Sequence, residues 1–561
     1  LHNIEIRIRI YPSLDMKVLI IDGYVDEPSY LGVPPFISPY PRAAAGAAKT
    51  AGADVRYITI GQIRKGAALP PADVAAVIAG SSVPGKYLRG RPASKREIAE
   101  ISGKIDGVRI LGGPMGAYFA DEALDDLFEL TVTRDIEAAV WEYASSGKIV
   151  DRRRSLEEFD EWSLAGADIC REHPDYAGPL IAEIQTYRGC VRSFSGGCKF
   201  CVEPSFGEVE FRNPDSVIME AEALAKAGVR NLRVGGQSCF ISYMAEGLGQ
   251  SETPKPSPGM IDHLLRGIRE VADPEVLHLD NANPAVISKY PDESRRIMQS
   301  IVRYCTPGNV LALGLESADP AVMEANNLNS TPDQALTAIE IMNEAGRERG
   351  PNGMPMLLPG INFLAGLEGE SRRSFEYNID FLKDIIRRDL LLRRINVRQV
   401  IRSREGYSGA KTDRRSFTKF KRWVRENADR PLLERMLPIG TVLRNVYLEV
   451  HDGNNTFGRQ VGSYPLLVGL PYKIEIDRFI DVAVTAYGYR SITGVQYPLD
   501  PNTASMSALS SIPGIGEKRA MRIVRNRPIN SLTELRNALD DARIADDIMR
   551  YMTFKGEGGA A

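Results

Sequence analysis

The sequence predicts an α/β protein built from several parts, on three observations. Short apolar runs alternate with helix-length segments over most of the chain, the spacing of that alternation changes along its length, and 561 residues suffice for three or four domains. Runs at 18–21, 55–60, 74–78 and 108–111 are brief and bounded by Gly, Asp or Pro, as strands buried in a parallel sheet are. Segments 43–51 and 98–105 supply crossover helices, so residues 16–165 read as a doubly wound α/β domain. From 175 to 430 the alternation continues, with helix 221–228 leading into strand 232–234, 260–271 into 277–280, and 295–304 into 310–315. A repeat of that length predicts a (β/α) barrel. Over 437–500 the runs shorten to 442–450, 466–469, 478–487 and 491–496, divided by Gly, Asn and Asp, which predicts a small β-barrel. Residues 503–556 turn helical again.

Composition narrows the class. Hydrophobic content of 43% and charged content of 25% are those of an ordinary globular protein. A net charge of -3 means that any nucleic-acid contact must come from local patches. Six cysteines, three of them bunched, argue against a disulfide framework and for a reducing compartment, so a cytoplasmic location is expected. No stretch of 18 apolar residues occurs, and no membrane partner is expected. The run at 1–10 alternates too regularly for a signal peptide. Met16-Lys17-Val18-Leu19-Ile20-Ile21-Asp22 reads as a natural domain start, so residues 1–15 are expected to reflect start-site choice.

The bunched cysteines carry the chemistry. They sit in the run Thr186-Tyr187-Arg188-Gly189-Cys190, then seven residues, then Cys198-Lys199-Phe200-Cys201, on the loop after the strand at 182–185. A loop at the C-terminal mouth of such a barrel is where reactive groups collect. Three thiolates can hold three irons of a [4Fe–4S] cube and leave the fourth iron open to bind and reduce something. A zinc site would want a fourth Cys or His nearby; His173 lies 17 residues before Cys190, without finger-like spacing. Structural zinc and buried free cysteines are the plainer alternatives.

This arrangement resembles the radical S-adenosylmethionine (SAM) superfamily, in which SAM chelates the open iron and is cleaved to a 5′-deoxyadenosyl radical. The usual gaps there are three residues and then two; here the first is seven, which leaves the subfamily open. The resemblance implies an incomplete (β/α)6 barrel, a [4Fe–4S] cluster and SAM as cofactors, and a reducing electron donor as partner. It implies that Phe200 shields the cube and touches adenine. Arg233-Val234-Gly235-Gly236-Gln237 resembles the Gly-Gly-Glu segment whose backbone carbonyls hold the SAM amino group, with Gln in place of Glu. Alone, a Gly-Gly pair after a strand is usually a turn. Leu313-Gly314-Leu315-Glu316-Ser317 resembles the family's Gly-x-Glu-Ser run, which would take Glu316 to the SAM amino group or ribose. A capping or core-polar role is the alternative for Glu316. The stretch 329–336 after it supplies caps and an N1 proline for a helix. Gly366-Leu367-Glu368-Gly369-Glu370 is similar to the family's Gly-Leu-Pro-Gly-Glu turn, with Glu for Pro.

Further candidates flank these landmarks. Asp280, in His278-Leu279-Asp280-Asn281-Ala282-Asn283-Pro284 at the end of the third strand, is a candidate substrate contact, with an Asx turn as the equal alternative. Cys239 is a candidate hydrogen-atom donor or ligand, although small buried cysteines are common. Gly112-Gly113-Pro114 after a strand resembles the cobalamin-binding-like domain found ahead of many radical SAM barrels. That family's Asp-x-His-x-x-Gly is missing and residues 3–172 contain no His, so histidine-ligated cobalamin is not expected. A substrate-shaping or docking role is the plainer reading of that domain.

Two segments point to nucleic acid. Residues 387–430 hold fifteen Lys or Arg against five Asp or Glu, interleaved with Tyr407, Phe417, Phe420 and Trp423. That mixture suits phosphate contacts with stacking, and a solvated helix face is the bland alternative. Leu509-Ser510-Ser511-Ile512-Pro513-Gly514-Ile515-Gly516-Glu517-Lys518-Arg519-Ala520 closely resembles a helix-hairpin-helix. Its Gly514 and Gly516 turn would aim backbone N–H groups at a phosphate, with Lys518, Arg519, Arg522, Arg525 and Arg527 following. Some such motifs mediate protein contacts instead. Val446 to Val450, Phe457-Gly458-Arg459, Phe479 to Val484 and Ser491-Ile492-Thr493-Gly494 resemble the TRAM domain of RNA-modifying enzymes, beside an ordinary β subdomain as alternative.

The reading is therefore a radical SAM enzyme that abstracts hydrogen from an unactivated C–H bond of a nucleic acid, with RNA, and tRNA first, as substrate. Methylthiolation by TRAM-bearing relatives needs a second cluster on three N-terminal cysteines; residues 1–169 hold none, which disfavours it. A protein or small-metabolite substrate, with the C-terminal modules used for docking, is the runner-up. A non-catalytic nucleic-acid-binding iron–sulfur protein comes last, because the SAM-site landmarks would then have no use.

Overall fold

The structure is a computed structural model that describes residues 16–25, 36–80, 90–118, 122–400 and 406–554. Residues 1–15, on which the start-site expectation rests, and 401–405 of the basic run lie outside the described residues. The first sheet is wholly parallel. It holds β1 (Lys17–Asp22), β3 (Asp54–Thr59), β4 (Val74–Ile78), β5 (Val108–Gly112) and β6 (Leu130–Thr131) in the order β3-β1-β4-β5-β6. Continuous apolar runs produce it because both faces are covered: every residue of β4 is buried. The crossover helices occupy Pro39–Thr50 and Lys95–Ser102, each starting before its expected position. Pro39 at N1 opens the first, and a capping box between Ser94 and Glu97 opens the second.

The short strand β2 (Phe36–Ile37) leaves this sheet and pairs in parallel with β7 (Ile181–Gln185), Phe36 against Ile181 and Ile37 against Ala182. Two residues carry no periodicity, so nothing in the sequence announced it. The N-terminal unit is thereby stitched into the second sheet. Helix Pro39–Thr50 also crosses helix Leu156–Ala165 at a glycine contact. A Cβ on Gly46 would lie 1.8 Å from the Trp162 carbonyl oxygen, and one on Gly166 1.8 Å from that of Arg42. Gly46→Ala should therefore destabilise the protein by about 1–3 kcal/mol or more through overpacking. Chemical denaturation measures it, and an unchanged midpoint would contradict this packing.

The barrel strands after β7 are β10 (Asn231–Gly235), β11 (Val276–Leu279), β12 (Asn309–Glu316), β13 (Leu357–Ala365) and β14 (Ile395–Gln399). They form two parallel sheets, β11-β10-β7-β2 and β12-β13-β14, linked by a parallel bridge between Ala282 and Leu313. Six barrel strands in one parallel series form the incomplete (β/α) barrel. A two-stranded ribbon, β8 (Tyr187–Arg188) with β9 (Glu210–Phe211), closes the base of the cysteine loop.

One expectation fails here. The aromatic residues of the basic run do not face solvent. Phe420 is 2% exposed, Tyr407 is buried with its hydroxyl on Asn326, and Phe417 and Trp423 pack against the main core. Arg393 is half-buried and Arg388 pairs with Glu340. The polar face of helix Arg414–Val424 points outward, with Arg414, Arg415, Lys419 and Arg422 exposed, and Arg387, Lys411, Arg425 and Arg430 are exposed on either side of it. Among its described residues the run centres on an amphipathic helix, and its aromatic side chains form no exposed stacking platform.

Beyond it, β15 (Val442–Asp452), β16 (Asn455–Gln460), β17 (Leu467–Leu470), β18 (Phe479–Tyr487) and β19 (Ser491–Tyr497) close into a barrel in the order β15-β16-β17-β19-β18. Helices Met506–Ser510 and Glu517–Arg525 follow, then Leu532–Ala538 and Ala542–Ile548. Leu509, Ile512, Ile515 and Ile523 share one apolar core with Leu443 and Val482 of the small barrel and with Val310, Ala312 and Leu358 of the large one. Among the described residues no helix is long and apolar enough to cross a membrane.

Candidate active site

A cavity of about 660 Å³ opens at the C-terminal ends of the barrel strands. Cys190, Cys198, Phe200, Cys201, Gly236, Gln237, Asp280 and Glu316 line it from below. Tyr40, Gly113, Pro114, Tyr118, Arg134 and Arg154 of the N-terminal unit roof it. Arg154 bridges the two sides, with Nε on Glu137 at 2.6 Å and Nη2 on the Gln185 amide oxygen at 3.2 Å. Arg188 Nη1 reaches Asp135 at 2.5 Å.

The cysteine loop is pinned by backbone. The Lys199 N–H donates to the Asn326 carbonyl at 3.0 Å, the Cys201 N–H donates to the Cys198 carbonyl at 3.1 Å, and the Asn327 amide donates to the Gly197 carbonyl at 2.9 Å. Burial raises all three thiols, Cys190 to about 11; the Glu316 carboxylate adds to the shift at Cys198, Glu203 and the other two thiols at Cys201, and Cys198 at Cys190. Iron must displace those protons on binding. Among the described residues no three Cys, His, Asp or Glu side chains converge tightly enough to hold a single ion. Three thiols facing one cavity supply ligands for three irons of a cube. The donor set therefore fits a [4Fe–4S] cluster.

The segment after β10 is fixed by its neighbours. A Cβ on Gly235 would lie 2.1 Å from Glu183 Oε1, and Gly236 has φ +72°. The Gly236 carbonyl accepts from Gln185 Nε2 at 3.1 Å. Gln237 is 2% exposed, and its Nε2 donates to the Val234 and Asp280 carbonyls at 3.1 and 3.2 Å. A carboxylate could donate to neither, which gives a physical reason for Gln at this position.

Glu316 ends β12 at a register shift and holds φ +65°, a costly conformation for a side-chain-bearing residue. The turn carries its carboxylate back over Gly314, where an added Cβ would lie 3.1 Å from Oε1, and it faces the same cavity as the cysteines. Ser317 differs from expectation. It is 2% exposed, is not among the cavity-lining residues, and its hydroxyl accepts the Asp319 N–H at 3.2 Å in the turn before helix Pro320–Ala325. Cys239 is likewise displaced from its candidate role. It is buried in the core outside the cavity lining, and its sulfur accepts from Ser242 Oγ at 3.2 Å and the Asn283 N–H at 3.3 Å.

Asp280 lines the cavity, and its carboxylate is shared between the Arg233 guanidinium and the Tyr464 hydroxyl. Buried as it is, it stays below the usual carboxylate range because Arg233, chiefly, offsets the cost of burial. Tyr464 comes from the small barrel, and Arg394 stacks over its ring at 3.7 Å. One residue before it, the Ser463 N–H donates to His278 Nδ1 at 3.1 Å. Burial holds His278 down at about 4. A neutral folded His against an unfolded pKa near 6.5 gives stability that is complete above about pH 6.5 and lost as pH falls toward 4, by roughly 3 kcal/mol. Denaturation midpoints between pH 7 and 4 should show this fall in the wild type and a flatter profile in His278→Asn. Identical profiles would contradict it.

At the other end, Gly514 has φ +86°, and a Cβ on Gly516 would meet nothing within 4 Å, so the hairpin turn is open. Lys518, Arg522 and Arg525 are exposed beside it. Arg519 is engaged instead, with Nε on Asp540 at 2.7 Å and Nη1 on the Gly514 carbonyl at 2.8 Å, so it braces the turn.

The sequence also matches known families and proteins. Residues 184–382 match the radical SAM superfamily and residues 496–539 the helix-hairpin-helix motif. The protein MJ0274 of Methanocaldococcus jannaschii is 44% identical over 504 residues, covering 85% of this chain and 93% of that one. The ribosomal protein uS12 methylthiotransferase RimO of Prochlorococcus marinus is 26% identical over 298 residues, covering 52% and 58%. Among solved structures, the radical SAM methyltransferase TsrM of Kitasatospora setae, with cobalamin and a [4Fe–4S] cluster bound, is 14% identical over 68% of this chain and 75% of that one, at a TM-score of 0.46. The chain belongs to the radical SAM superfamily and is a radical SAM enzyme with a C-terminal helix-hairpin-helix motif. Membership implies a [4Fe–4S] cluster and SAM as its cofactors.

Proposed function

We propose that this enzyme modifies RNA, tRNA first, at a group small enough to enter the roofed cavity. One observation supports the reading above the others. The open hairpin turn with Lys518, Arg522 and Arg525 shares a core with the small barrel, and that barrel places Tyr464 on Asp280 in the cavity wall. A phosphate-gripping module is thus joined mechanically to the site of chemistry. The cavity of about 660 Å³ would also house the cluster and SAM and leaves no room for a duplex, so a target base would be extruded from its stack.

When bound, the reduced cluster supplies one electron that cleaves SAM to methionine and a 5′-deoxyadenosyl radical, which takes a hydrogen atom from the substrate. Cys190, Cys198 and Cys201 would hold the cluster. The carbonyls of the 235–237 segment and the Glu316 carboxylate would receive the SAM amino group and ribose. Phe200, grouped with Leu328 and Leu364, gives an apolar wall for adenine. Asp280, held by Arg233 and Tyr464, would position the substrate. Glu316→Ala should weaken SAM binding at least tenfold while leaving iron content unchanged, measured by isothermal titration on the anaerobic protein. Unchanged affinity would make Glu316 a structural turn residue.

A protein substrate is the second reading, favoured by the likeness to an enzyme that acts on ribosomal protein uS12. Sequencing RNA retained through anaerobic purification, followed by nucleoside mass spectrometry after incubation with SAM, separates the two. A mass-shifted nucleoside that depends on SAM supports RNA; none, with a modified peptide instead, supports protein.

A further inference from the structure

The seven-residue gap between Cys190 and Cys198 contains one side chain that points back at the sulfurs. Arg192 is 2% exposed, and its Nη1 donates to Cys198 Sγ at 3.1 Å while its backbone N–H donates to Cys190 Sγ at 3.4 Å. Its Nη2 holds the Asn327 carbonyl at 3.0 Å and meets Glu252 at 3.3 Å. A short 3-10 turn, Ser193–Ser195, follows, and the Ser195 hydroxyl lies on the same Glu252 carboxylate. The loop thus folds a guanidinium under the Cys198 thiol and a backbone N–H under that of Cys190. An arginine is a costly group to bury unless its charge and hydrogen bonds are used. Here one fork nitrogen is spent on sulfur.

We propose that Arg192 is a positioning residue that sets the reduction potential of the cluster these thiols would hold. The proposal rests on the assignment of Cys190 and Cys198 as cluster ligands. Hydrogen bonds to ligand sulfur and a nearby positive charge both favour the reduced, more negative cluster, so they raise its potential. The long gap between the first two cysteines is then the means of admitting that donor.

Two measurements test it on the whole, anaerobically loaded protein. In the first, Arg192→Gln and Arg192→Lys are titrated for midpoint potential by electron paramagnetic resonance, with iron content measured beside it. The glutamine variant should be harder to reduce by about tenfold in the equilibrium constant, about 59 mV for a one-electron couple. The lysine variant, which keeps the charge, should fall between it and the wild type. A fully loaded glutamine variant with unchanged or raised potential overturns the proposal. A loop-bracing role alone would change iron content without moving the potential of the clusters that do form. The second measurement needs no variant. Wild-type protein labelled with 15N in its arginine guanidino groups should show a nitrogen coupling to the reduced cluster by electron–nuclear double resonance. Absence of that coupling overturns the proposal even if Arg192→Gln fails to load. Failure of the cysteine assignment itself is distinguishable, because the wild type would then bind no cluster at all.

Discussion

Replacing Cys190, Cys198 and Cys201 together by alanine is expected to abolish iron binding and SAM cleavage in one step. Each thiol faces the same cavity, each must release its proton to bind iron as thiolate, and a cube that leaves one iron open has no protein ligand to spare. The anaerobically reconstituted wild type should carry about four irons per chain. The triple variant should lose both the visible absorption and the formation of 5′-deoxyadenosine, by orders of magnitude. Cys170→Ala, Cys239→Ala and Cys305→Ala should retain both, because those thiols are buried in the apolar core and line no part of the cavity. Full iron loading in the triple variant would place the cluster elsewhere.

The placement of these candidates around one cavity was legible because the parts are local. The cysteines, the Gly235-Gly236 pair and Glu316 follow strand ends that apolar runs mark without ambiguity, and a barrel brings strand ends to one mouth. The misses have physical causes. Phe417, Phe420 and Val424 recur at helical spacing, so the apolar stripe of helix Arg414–Val424 was present in the sequence, but counting charges along the run ignored it. Ser317 and Cys239 have residue types that suit chemistry, yet which side of a strand-end turn a side chain takes depends on local hydrogen bonds. Tyr464 on Asp280 joins positions 184 residues apart through the docking of two barrels, and no periodicity encodes that. The same holds for β2, whose two residues gain their partner only from tertiary packing. Arg192 lay in plain view between the cysteines, but the direction of its side chain is set by the turn that follows.

The second large effect concerns RNA and salt. If the hairpin and neighbouring basic groups make about six phosphate contacts, affinity should fall roughly a thousandfold between 50 and 200 mM salt through counterion release. Because the hairpin helices share a core with the small barrel, deleting 503–561 would expose that core and confuse unfolding with lost contact. Surface changes avoid this. Lys518→Ala, Arg522→Ala and Arg525→Ala together should lower the slope of log affinity against log salt by about three and weaken binding alike across sequences. SAM cleavage without RNA should be unaffected, since none of the three lies near the cavity. Equal slopes in the variant and wild type would remove the hairpin from RNA binding.

The most direct test of the central claim is the rate at which the reduced, iron-loaded enzyme forms 5′-deoxyadenosine with and without RNA. If the hairpin module binds RNA and is coupled to the cavity through Tyr464 and Asp280, the enzyme should form it slowly alone and at least tenfold faster with tRNA. Deuterium from labelled tRNA should appear in the 5′-deoxyadenosine. Formation at one rate regardless of tRNA, rRNA or DNA, with no deuterium transferred, would contradict an RNA substrate and leave the protein or metabolite reading in its place.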